Sequence, residues 1–149
     1  MLTLGGFWIA GRRRRNDQHN DDLNETSTVL RSVAVAARRL AGLNGAARKE
    51  DLAQLTGLVP HVEHAVTQHT GALHERLTQV FILMTELIDT PVELNMVEGV
   101  LVAATTLDDV PGQMRLTSLV GRACCQVRTT DRLIAEVTKA SAEARRLRS

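Results

Sequence analysis

The sequence predicts an all-α fold, an elongated antiparallel bundle of four to five helices with an extended N-terminal arm. Three observations carry that expectation. Apolar side chains recur at alternating spacings of three and four along most of the 149 residues, the signature of one helical face. No segment alternates apolar and polar residues with period two, as a half-buried strand would. Aromatic residues, on which sheets lean, number three: Phe7, Trp8 and Phe81. The chain has room for one modest core, and its 44% apolar and 23% charged residues are proportions of a chain that folds in water. No apolar stretch approaches the roughly eighteen uninterrupted residues of a membrane-spanning helix. The expected organisation is an apolar and basic arm, residues 1–21, followed by a helical body, residues 22–149.

The arm opens with Met-Leu-Thr-Leu-Gly-Gly-Phe-Trp-Ile-Ala-Gly, and Arg12, Arg13, Arg14 and Arg15 follow at once. A signal peptide places its positive charge before the apolar run, so this order is reversed. The polar run Asn16 to Asn24 reads as a linker or the approach to a helix. From about Asp22 to Leu43, Leu30, Val33, Ala37 and Leu40 mark one helical face, with Asp21, Asp22 and Glu25 suited to the positive end of the helix dipole. Gly42 or Gly45 can take the left-handed conformation that stops it.

A second helical segment begins near Ala46. From Leu52 the stripe continues through Leu55, Val59, Val62, Val66, His69, Leu73, Arg76, Val80, Leu83 and Leu87, with the exception at Arg76 resolved by shifting to Leu77. Pro60 lacks an amide hydrogen and crowds the carbonyl of Thr56, which predicts a short helix to about Gly57 and a long one from Pro60 to Asp89. Thr90-Pro91-Val92-Glu93 reads as a capping box that opens a further helix, with Val92, Met96, Val100, Ala103 and Leu107 on its apolar face. Asp108 to Gly112 is the turn after it. The last helix runs from about Gln113 to Leu147, its stripe being Leu116, Val120, Ala123, Val127, Thr130, Ile134, Val137, Ser141 and Ala144. Helices of such length expose more apolar seam than one copy covers, so burial against other copies or a partner is expected.

Charge is segregated along the chain. Residues 1–49 sum to +5, residues 50–110 to −9 with Arg76 the single basic residue, and residues 111–149 to +5, within a net charge of +1. That pattern favours packing basic segments beside acidic ones, within one chain or between copies.

Signs of chemistry are few. His61, His64, His69 and His74 fall within fourteen residues. His61 and His64 lie one helical turn apart, but His69 and His74 are each rotated by roughly 140° from the preceding histidine, so the four do not converge on a metal without a second helix. His69, on the apolar stripe, reads as a core or interface histidine with one hydrogen-bond partner. Cys124 and Cys125 are neighbours whose side chains diverge by roughly 100° on a helix, too far to bridge, which suits a reduced, cytoplasm-like compartment. No phosphate-cradling glycine loop, serine elbow or acid–base carboxylate pair occurs. The expectation is no catalysis, no cofactor, no metal and no small-molecule substrate.

The candidate site is therefore an interaction surface: Phe7, Trp8, Ile9, Arg12, Arg13, Arg14 and Arg15. Its apolar residues suit docking on a neighbouring subunit, with the arginines meeting that neighbour's acidic middle segment. The function expected is that of a structural or connector protein, assembling with itself or with helical partners in a larger complex. Two alternatives remain open: a peripheral membrane adaptor anchored by residues 2–15 on anionic lipid, and a basic-armed nucleic-acid accessory protein.

Overall fold

The structure is a computed structural model that describes the backbone of residues 3–92 and 110–148, and side chains over residues 14–92 and 118–148. Among the described residues there are four helices and no strand: α1 (Thr3–Ala41), α2 (Ala53–Gln68), α3 (Gly71–Ile88) and α4 (Val110–Arg148). The fold is all-α. α1 packs on α2 and α4, and α3 packs on the same two, so the four close around one core. α1 contributes Leu23, Leu30, Val33, Ala37 and Leu40; α2 contributes Leu55, Val62 and Ala65. From α3 come Leu73, Leu77, Val80, Leu83, Met84 and Leu87, and from α4 Leu133, Val137, Ala140 and Ala144. All of these are 4% exposed or less.

Contacts at the two ends fix which parts of the chain lie together. At one end Asn24 accepts a hydrogen bond from Arg148, and Thr26 is bonded to His69. At the other, Ala47 just past α1, Thr90 just past α3 and Gln126 in α4 are joined. Between them Arg76 of α3 pairs with Glu136 of α4 at 3.5 Å. The single basic residue of the acidic middle segment thus faces a helix from the basic C-terminal segment; the pair is partly exposed and contributes about 0–1 kcal/mol.

Several boundaries differ from the sequence reading. The N-terminal arm is not extended: residues 3–21 continue α1, and the run Asn16 to Asn24 is helix rather than linker. No proline interrupts it, and arginine is among the better helix formers. Asp21, Asp22 and Glu25 accordingly lie in mid-helix. Leu23 is the first buried residue among those whose side chains are described. Residues 42–52 form turns in place of a helix from Ala46, with Asn44 (φ 48°) and Gly45 (φ 84°) reversing the chain.

Pro60 does not break α2, which runs through it. Thr56, whose carbonyl loses its partner, is exposed, as are Gly57 and Pro60, so that carbonyl lies on the watered side. The break falls at His69 and Thr70, both extended, before Gly71 at φ 69°. The long helix expected from Pro60 to Asp89 is thus two shorter ones packed together. Their apolar stripe is covered within the chain, with Leu77 buried and Arg76 exposed as the shifted stripe requires. The argument that this seam needs a second copy does not hold for α2 and α3.

At the end of α3 the Thr90 hydroxyl donates to the carbonyls of Glu86 and Leu87, 3.3 and 3.2 Å away. Glu93, the other half of the expected capping box, lies outside the described residues, as do the helix expected after it and Asp108 and Asp109 of the following turn. α4 starts at Val110, with Pro111 in its first turn, where a missing amide hydrogen costs nothing. Its buried stripe is Gln126, Thr130, Leu133, Val137, Ala140 and Ala144, while Val120 and Val127 are 52% and 41% exposed. The expected stripe through Val120 and Val127 is therefore rotated by one residue over this stretch. Gln126 turns inward to serve a loop, and its neighbour Val127 turns outward by about 100°.

Candidate functional site

The expected interface residues lie on the part of α1 that precedes the core. Arg14, Arg15, Asn16, Asp17, Gln18, His19, Asn20 and Asp21 are exposed without exception. Eight consecutive exposed positions span more than two helical turns, so over this length no side of α1 rests on another described element. This polar stretch connects what lies at its two ends. One end is the bundle, reached at Leu23. The other carries Phe7, Trp8, Ile9, Arg12 and Arg13, whose backbone is in α1 and whose side chains lie outside the described residues. Sixteen residues of helix put Phe7 about 24 Å along the axis from Leu23. Because α1 is one helix from Thr3 to Ala41, that tip is held away from the chain's own core.

Of the acidic middle segment, the partner expected for the arginines, α3 and its C-cap carry Glu75, Glu86 and Asp89. Glu75, Gln79, Ile82, Glu86 and Asp89 are exposed and follow one another at spacings of four and three, forming one outward stripe. Ile82 at its centre is 40% exposed, with half-buried Phe81 beside it. The carboxylates of Glu75, Glu86 and Asp89 make no ion pair with another described residue. Nothing basic stands in the last turn of α3, so Glu86 and Asp89 sit uncompensated at the negative pole of that helix.

No protein-family model, curated protein or solved structure matches this chain.

The four histidines are separated by their surroundings. His61 and His64 are exposed on α2, facing Asp22 and Glu25 of α1 across a shallow hollow, and Nε2 of His64 lies 3.3 Å from the Gln68 amide. His74 on α3 donates from Nδ1 to the carbonyl of Val66 at 2.9 Å. Among the described residues no three His, Cys, Asp or Glu side chains converge to hold a metal ion. His69 is buried, as its place on the apolar stripe implies, and Nε2 meets the Thr26 hydroxyl at 2.7 Å. Burial pushes its pKa below the ordinary 6.5; Asp22 acts to raise it and His19 to lower it further.

That depressed value fixes the sign of a pH effect. Above about pH 6.5 the imidazole is neutral folded or unfolded; below it, the unfolded chain takes up the proton first. Stability therefore falls as pH drops through the interval between 6.5 and the lower folded value. Urea unfolding between pH 7.5 and 5 will show this decline, and His69→Gln will flatten it relative to wild type. An identical pH slope in the two proteins refutes the assignment.

Gln126, like Thr26 and Thr129, is a buried polar residue that sequence reading missed. It is 2% exposed, its Oε1 accepts the amide hydrogen of Ala47 at 3.1 Å, and its Nε2 donates to the carbonyls of Ala47 at 2.9 Å and Thr90 at 2.5 Å. Val92 also donates to the Ala47 carbonyl, at 2.9 Å. One side chain thus ties α4 to the segments following α1 and α3. Beside it is a cavity of about 210 Å³ bounded by Leu40, Asn44, Gly45, Thr130 and Asp131. A wider, open hollow lies alongside, where Cys124 and Arg128 join Asn44 and Asp131. Cys124 and Cys125 are both exposed free thiols. The hydrogen-bonding groups of the Gln126 side chain are engaged by the Ala47 and Thr90 backbone, and the remaining polar side chains on the cavity wall are those of Asn44, Thr130 and Asp131.

Proposed function

We propose that this protein is a non-catalytic helical connector, an elongated antiparallel bundle that assembles with further copies of itself through the N-terminal part of α1. The observation that carries this reading is the helical stretch from Arg14 to Asp21, exposed on every side between the bundle and an apolar tip that cannot reach the bundle. An apolar segment held clear of its own core loses about 25 cal/mol for each Å² it leaves in water, which favours burial elsewhere. Glu75, Glu86 and Asp89, which make no ion pair with another described residue, supply the opposite charge for Arg12 to Arg15. Such a part belongs in the cytoplasm or in a larger assembly. Among the described residues no helix is long and apolar enough to cross a membrane.

Light scattering across concentration tests this reading. The expected result is a mass above one chain that rises with concentration, and loss of that rise when Phe7 and Trp8 are both replaced by aspartate. A single-chain mass at high micromolar concentration ends it. Flotation of the wild type with anionic vesicles, lost in the same variant, would point to the membrane adaptor in its place. A DNA affinity that falls steeply with salt would point to the nucleic-acid accessory role.

A further inference from the structure

The overhanging tip and the C-terminal part of the acidic stripe lie at opposite ends of the bundle. The tip extends from the end where Thr26 meets His69; Glu86 and Asp89 lie at the end where Thr90 meets Gln126. Their residue spacings also agree. Trp8, Arg12 and Arg15 follow one another at four and then three, and so do Ile82, Glu86 and Asp89. We propose that the tip of α1 from a second copy docks in parallel along the outward face of α3, placing Trp8 beside Ile82, Arg12 beside Glu86 and Arg15 beside Asp89. This rests on the reading that the chain self-associates through residues 7–15, and names the surface that receives them.

Three features make this face the receiver. Ile82 supplies exposed apolar area at the centre of a stripe that is otherwise polar. Glu86 and Asp89 lack a described ionic partner. They also stand at the wrong pole of their helix, where negative charge is unfavourable and a cation is favoured, so two arginines arriving there relieve a repulsion already present in the isolated chain. The contact joins one end of a copy to the opposite end of the next. It is heterologous, and its products are open rows or rings rather than a closed twofold dimer.

Sedimentation equilibrium of the full chain, at about 0.05 and 0.5 M salt, tests the docking. The expected result is stepwise assembly at low salt that weakens at high salt. E86R/D89R and R12E/R15E should each lower the association constant by about tenfold or more, as loss of complementary charge does at a desolvated contact. An equimolar mixture of the two variants should assemble in alternating order, since the acidic tip of one meets the basic face of the other and the unchanged basic tip of the second meets the unchanged acidic face of the first. E86Q/D89N, which removes charge with little change of shape, should weaken assembly by a smaller factor and guards against misfolding of the reversed variant. If the wild type assembles and R12E/R15E does not, but E86R/D89R and E86Q/D89N match the wild type, the tip docks elsewhere; the docking is overturned and self-assembly stands. A wild type that stays a single chain overturns both. Equal binding of wild type and E86R/D89R to anionic vesicles, without self-association, assigns the tip to lipid and overturns both as well.

Discussion

Gln126→Leu will lower stability by about 3 kcal/mol, a fall in melting temperature of about 6–12 °C for a chain of this size. Leucine fills nearly the same volume, so the loss is of hydrogen bonds rather than packing. The buried amide of Ala47 loses the side-chain oxygen that accepts from it, and an unmatched buried donor costs about 1–3 kcal/mol. The Thr90 carbonyl loses a donor as well, whereas the Ala47 carbonyl keeps Val92. Gln126→Glu makes the complementary test at constant shape. It presents carboxylate oxygen to two carbonyls, so it should cost at least as much at neutral pH and recover in part at low pH, where a protonated carboxyl can donate once. A urea midpoint for Gln126→Leu within experimental error of wild type would show that the three hydrogen bonds contribute nothing net.

The second large effect is expected at Gly45. Its φ of 84° is left-handed, and a Cβ added there would stand 2.6 Å from the carbonyl oxygen of Ala123 and 3.0 Å from its Cα. Both obstacles are backbone atoms of α4, so no side-chain rotation clears them. Gly45→Ala should cost about 3 kcal/mol or more, combining left-handed strain with displacement of a helix. Gly71→Ala is the matched control: φ is 69°, but nothing lies within 4 Å of the added carbon, leaving about 1 kcal/mol of strain. Equal melting temperatures for the two variants would mean that α4 does not approach the α1–α2 turn as closely as described.

Helical faces were legible in the sequence wherever one residue type dominated one side. Leu30, Val33, Ala37 and Leu40 are all buried, and so is every leucine, valine and methionine from Leu73 to Ile88, with Ile82 exposed and Phe81 and Ile88 half-buried. What spacing cannot register is a polar side chain that turns inward to serve a loop. Gln126 has that role, and the bonds it makes to Ala47 and Thr90 join residues 79 and 36 positions apart, beyond the reach of any local pattern. Pro60 misled for a related reason. Its local cost is real, but the exposed side of α2 absorbs it while Leu55, Val62 and Ala65 stay in the core. The candidate interface was legible as composition, an apolar run followed by four arginines. That it would be carried on a helix was not, because Gly5, Gly6 and Gly11 weaken helix propensity just where the tip lies.

The unbroken course of α1 has a consequence for how the tip is aimed. A flexible tether would let an adhesive end search freely, but here each residue between Arg15 and Leu23 sets the azimuth of that end relative to the bundle, like the pitch of a screw. Inserting one alanine after Asn20 swings the arginines about 100° around the axis, while inserting seven returns them to within about 20° of their bearing and carries them about 10 Å farther out. If the tip docks as proposed, α1 would act as a gauge, holding the neighbouring copy at one distance and one bearing.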